Sequence, residues 1–130
     1  MNRSVFRRVG IILVAASVIT VLASCGTLGD TGAVKEANKL AIACKTDQAL
    51  MAVDRAALGG GLGANIADLQ RVVILRDAGR TSEADTAMAE RNARAGADAE
   101  AAAEADRAVA KSLEELRAER EKQTGRRTCL

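Results

Sequence analysis

Apolar positions follow two regimes along this chain. From Val9 to Val21 they run together, and no charged residue interrupts them. From Ala33 onward they recur at helical spacing with charged residues between them, which predicts amphipathic helices. A first helix is expected over about Ala33 to Cys44, with Ala37, Leu40 and Ala41 on one face. Thr46 or Asp47 can cap a second, ending near Leu58. Gly59-Gly60-Gly61-Leu62-Gly63 is expected as a loop. A third helix covers about Asn65 to Ala78, with Gly79 as its C-terminal stop. Val72-Val73-Ile74-Leu75 places four apolar residues in succession within it, so this helix should be buried on several sides. Thr81 or Ser82 can cap a fourth helix, where Ser82 and Asp85 have capping-box spacing. Gly96 separates it from a long fifth, about Ala97 to Thr124, which Gly125 ends. The fifth carries a weak seam of Ala102, Ala105, Val109, Leu113 and Leu116. The fold class is therefore all-α, a hairpin array or bundle of four to five helices with a long C-terminal helix.

Composition thins the core. There is no His, Trp, Tyr or Pro, and the single Phe lies at position 6. Alanine dominates, which favours helix but buries little area at ~25 cal/mol per Å². The large aliphatics beyond residue 32 are few, among them Leu40, Leu50, Met51, Val53, Leu58, Leu62, Ile66, Leu69, Met88, Val109 and Leu116. The fifth helix starts acidic (Asp98, Glu100, Glu104, Asp106) and its end is rich in basic residues (Arg117, Arg120, Lys122, Arg126, Arg127), an order that suits the helix dipole. These charges read as a solvated helix face.

The N-terminal regime has the anatomy of an export signal. Arg3, Arg7 and Arg8 precede the apolar run, which is shorter than the ~20 residues a membrane span needs. No basic stop-transfer cluster follows it. The alternatives are an ordinary cleaved signal and an uncleaved anchor helix. Leu22-Ala23-Ser24-Cys25 resembles the lipobox of bacterial lipoproteins. That resemblance implies cleavage after Ser24 and a diacylglyceryl group on Cys25. It divides the chain into a signal peptide (1–24), a flexible tether (25–32) and a helical domain (33–130). Two acyl chains anchor a protein stably where one is marginal. In that class an Asp after the Cys favours the inner membrane. Gly26 stands there instead, which implies the outer membrane, with the domain facing the periplasm. The full chain has 19 basic and 17 acidic residues. Losing Arg3, Arg7 and Arg8 leaves the remainder close to neutral, without the basic face that nucleic-acid binding needs.

A faint internal repeat has a period of 35 residues. Ala37 and Leu40 correspond to Val72 and Leu75, Cys44 to Gly79, Gln48-Ala49 to Glu83-Ala84, and Val53 to Met88. Two helical hairpins at that period resemble the tetratricopeptide repeat, whose unit is 34 residues. The resemblance assigns packing roles to Leu75, Gly79, Ala84 and Met88: Gly79 tightens the turn, and Ala84 lets the two helices touch. That family's Trp and Pro have no counterpart here, and Arg71 replaces an expected Leu.

With Cys25 acylated, Cys44 and Cys129 remain. An exported domain lives where disulfides persist, so these two are expected to pair; two free thiols are the alternative. The bond would close a long loop, worth about 4 kcal/mol on the chain-entropy account. No Cys-x-x-Cys spacing suggests a redox role.

Catalytic chemistry finds no foothold. Without His there is no triad or imidazole acid–base group. Glu100 and Glu104 share a helix face but no partner completes a metal site. The 59–63 loop lacks the Lys and Ser/Thr of a phosphate loop. No catalytic residue, metal or cofactor is expected. The sequence instead suggests a membrane-anchored envelope lipoprotein that binds another protein as a small adaptor or scaffold. A passive structural or self-associating lipoprotein is the alternative.

Overall fold

The computed structural model describes residues 25–129. Five helices follow one another: α1 Cys25–Ile42, α2 Thr46–Ala57, α3 Gly61–Asp77, α4 Thr81–Ala95 and α5 Ala99–Thr124. No strand occurs among the described residues. The signal segment, residues 1–24, lies outside them. α1 begins eight residues ahead of the expected Ala33 and runs back through the segment read as a tether. Nothing in that segment is a proline, and extending a nucleated helix costs little per residue. Gly26, Gly29 and Gly32 make it the weakest stretch of α1.

Consecutive helices pack as antiparallel neighbours, α1 on α2, α2 on α3 and α3 on α4. α3 is central: it also packs against α1 and α5, and all of Val72, Val73, Ile74 and Leu75 are buried. This is why four successive apolar residues stand in one helix. Elsewhere the core is largely alanine, with Ala37, Ala49, Ala52 and Ala84 fully enclosed. Small side chains there let helix backbones approach closely, and Leu50, Val53, Met88, Val109 and Leu116 supply the remaining apolar bulk.

The α1–α2 and α3–α4 turns share one backbone pattern. In the first, Lys45 N–H donates to Leu40 C=O (2.8 Å) and Cys44 N–H to Ala41 C=O (3.0 Å). In the second, Arg80 N–H donates to Leu75 C=O (2.9 Å) and Gly79 N–H to Arg76 C=O (3.1 Å). Every donor and acceptor is displaced by 35 positions, the period read in the sequence. Both turns need a left-handed residue: Gly79 at φ 71° and Cys44 at φ 59°. Glycine adopts that conformation without strain; for cysteine it costs about 1 kcal/mol. Lys45 and Arg80 follow immediately and serve as N-caps of α2 and α4 without a side-chain hydrogen bond. The expected caps, Thr46 or Asp47 and Thr81 or Ser82, instead lie inside the first turns of α2 and α4. Asp98 does cap α5, accepting from Ala101 N–H at 2.8 Å.

The up-and-down course gives the bundle two ends. One gathers the C-termini of α1 and α3 with the N-termini of α2 and α4, where Arg80 bridges to Asp47 at 3.3 Å. The other holds the start of α1, the end of α2, the start of α3 and the end of α4. α5 crosses the C-terminal end of α3 near its own middle: Arg76 reaches Asp106 (2.7 Å), while Asp77 reaches Arg117 and Arg120. It packs across α1 as well as α3.

Candidate functional site

The polar centre of the molecule is Arg120, whose side chain is completely buried. A guanidinium has five N–H groups, and each finds an acceptor. Nε donates to the Ile42 carbonyl (3.3 Å). Nη1 donates to Asp77 Oδ1 (3.1 Å) and to the Arg127 carbonyl (2.9 Å). Nη2 donates to the Ala41 carbonyl (2.9 Å) and to Asp77 Oδ2. Ala41 and Ile42 are in the last turn of α1, whose carbonyls have no partner within the helix. A cation there also meets the negative end of the helix dipole. Asp77, 6% exposed, takes a further hydrogen bond from Arg117 Nε at 3.2 Å. One side chain of α5 thus ties together the ends of α1 and α3 and the C-terminal tail.

The tail is placed by Gly125, which leaves α5 in the left-handed conformation at φ 71° and donates to Glu121 C=O. The chain then doubles back. The Arg127 carbonyl meets Arg120, and the Arg127 guanidinium pairs with Glu114 and Glu121. Cys129 is joined to Cys44 in a disulfide, with Cα atoms 5.5 Å apart and 85 positions separating them. The bond therefore sits on the α1–α2 turn, beside the carbonyls that hold Arg120. It supplies a reason for a cysteine at the strained position that glycine fills in the second turn.

The charges at the end of α5 are thus not all solvated, contrary to the sequence expectation. Lys122 faces water, but Arg117 is mostly covered and Arg120 wholly so. The seam carried a usable signal: Arg120 stands four positions after Leu116, on the line of Ala105, Val109 and Leu116. Asp77 likewise follows the buried Val73 by four. Leu75, Ala84 and Met88 are buried members of one core cluster, and Gly79 takes the left-handed conformation in the turn between α3 and α4. Cys25 is the first residue of α1; its side chain lies outside the described atoms.

At the opposite end, several large apolar residues are not covered. Leu58 is 87% exposed, Leu62 76% and Ile66 41%. Leu58 ends α2, while Leu62 and Ile66 stand one turn apart on α3, whose first turn absorbs Gly61, Leu62 and Gly63 of the expected loop. A cleft between α1, α3 and α5 is lined by Asn38, Gln70, Ser112 and Glu119 with Ile42 and Leu116. Gln70 donates to Asn38 across it. On the surface, the Arg80 guanidinium holds the Glu83 carboxyl below its ordinary value through a hydrogen bond. Among the described residues, no group of acidic, Cys or His side chains could hold a metal ion, and no helix is long and apolar enough to cross a membrane. No protein family, curated protein or solved structure matches this chain.

Proposed function

We propose that this protein is a lipid-anchored component of the bacterial envelope that works as a small protein-binding adaptor or scaffold, without enzymatic activity. The observation that carries this is the Leu22-Ala23-Ser24-Cys25 motif behind a basic and then apolar start. The Cys44–Cys129 bond supports it, because such bonds persist in exported proteins and are rare in reducing compartments. So does a polar centre whose groups are all engaged with one another: Arg120 and Asp77 hold helices together and leave no free donor for a substrate. Cys25 is the site of acylation, and the outer membrane facing the periplasm is the location that Gly26 favours.

A second reading, a passive structural or self-associating lipoprotein, draws on one observation. A partner groove in a hairpin array would be lined by alternate helices, and α5 packs across α1 and α3. An adaptor would then use the outer surfaces of α2 and α4 or an end of the bundle.

Two measurements test these readings. Intact-mass analysis of protein from the envelope is expected to give a chain starting at acylated Cys25, and Cys25→Ala to remain an unprocessed precursor. A different mature start, or no acyl mass, overturns the lipoprotein assignment. Cross-linking in intact cells followed by mass spectrometry is expected to find a reproducible partner chain. Cross-links only between copies of this chain would replace the adaptor with the self-associating reading.

A further inference from the structure

Among the described residues, three of the four exposed large apolar side chains gather in one place with a defined relation to the anchor; the fourth, Met51, stands apart on α2. α1 is antiparallel to α2, so the start of α1 and the end of α2 emerge at the same end of the bundle. Leu58 closes α2, and Leu62 and Ile66 stand on the first turns of α3 at that end. From Ala33 back to Cys25 is about 12 Å along a helix, and at most about 28 Å if fully extended. A lipid attached at Cys25 therefore enters the bilayer within a short reach of these side chains. The tip between Leu58 and Leu62 is Gly59-Gly60-Gly61. A side chain added at Gly60 or Gly61 would meet nothing within 4 Å, so the tip is open and without bulk that would hold it off a surface. Charges of both signs flank it, among them Asp54, Arg55, Asp68 and Arg94, and three of these are engaged in pairs: Arg71 with Asp54, and Arg94 with Asp68. Attraction to an anionic surface is not what the patch offers; apolar contact is.

We propose that Leu58, Leu62 and Ile66 dock on the lipid surface beside acylated Cys25, which sets the bundle upright with its disulfide end away from the membrane. The occupant of the patch is the outer layer of the acyl chains, which accepts leucine and isoleucine side chains and requires no particular headgroup. Docking adds a second, noncovalent contact to the anchor and fixes which surfaces of the bundle face outward. This inference rests on the lipid-anchored reading above.

The chain contains no tryptophan, so a single introduced one reports unambiguously. Leu62→Trp and Lys122→Trp both replace exposed residues, the first at the tip and the second near the disulfide. Each full-length, acylated variant is reconstituted into phosphatidylcholine vesicles, with and without brominated acyl chains, and floated on a density gradient. Leu62→Trp is expected to float and to lose most of its emission to the brominated lipid, while Lys122→Trp floats and keeps its emission. Adding an anionic phospholipid should leave both results unchanged. Flotation without quenching of Leu62→Trp overturns the docking and leaves the anchor standing. Absence of both flotation and acyl mass overturns the two together. A blue-shifted Leu62→Trp emission that bromine does not quench, and that grows with protein density in the membrane, overturns lipid docking in favour of a second copy on the patch.

Discussion

At one end of the bundle, Arg120 spends all five of its donors on Asp77 and on the carbonyls of Ala41, Ile42 and Arg127, and a disulfide closes over it. At the other, Leu58 and Leu62 project into solvent around a run of glycines. The first end has a buried charge and no slack; the second has apolar surface and little to hold it. The contrast shows how an alanine-rich chain can compensate for a thin core. Alanine brings backbones close but buries little area; here one saturated polar node fixes how the helix ends meet, and one covalent link restricts the unfolded chain. Both are placed at the end where four helix termini converge. The glycine-rich end is left free to present a surface.

The hardest test of this contrast removes the node. Arg120→Met should cost about 3–5 kcal/mol, because it leaves the buried Asp77 carboxylate with only its Arg117 hydrogen bond and takes a donor from the carbonyls of Ala41, Ile42 and Arg127. Arg117→Met, which leaves the Arg120–Asp77 pair intact, should cost no more than about 1 kcal/mol. Urea unfolding followed by far-UV circular dichroism measures both, since the chain has no Trp or Tyr and its single Phe is at position 6. Similar midpoints for the two variants would mean that Arg120 is not the centre of the locked end.

The disulfide can be separated from the turn that carries it. Cys44→Ser with Cys129→Ser should lose about 2–4 kcal/mol. Cys44→Gly with Cys129→Ser removes the same bond but places glycine in the left-handed position, as Gly79 does in the second turn. It should recover about 1 kcal/mol of that loss. Equal melting curves for the two pairs would show that the turn at Cys44 is not strained. A smaller effect is expected within the core. Ala84 is fully enclosed and Ala101 exposed, so Ala84→Leu should destabilise by about 1–3 kcal/mol and Ala101→Leu by no more than about 0.5 kcal/mol.

What the sequence disclosed follows the same division. The helix stops at Gly79, Gly96 and Gly125 were legible because each needs a left-handed residue that glycine supplies, and all three adopt it. The burial of Val72 to Leu75 was legible because no single helix face holds four successive residues. The recurrence at 35 positions was visible as matched residue types and reappears as matched hydrogen bonds. Arg120 was not read correctly because an arginine near a helix C-terminus has an ordinary explanation in the dipole, and that explanation hid its place on the apolar seam. The exposure of Leu58 and Leu62 was not legible at all. A leucine beside a loop is covered or bare according to which distant helix passes over it, and α5 turns toward α1 and the end of α3 instead.

The difference between the two ends is tested most directly by native-state hydrogen exchange on the oxidised, full-length protein. The account predicts that the slowest amides lie around Arg120 and in the last turns of α1 and α3, and that those of residues 59–66 exchange fastest among the α2 to α5 segments. Equal protection at the two ends, or slower exchange around Leu62 than around Arg120, would contradict it.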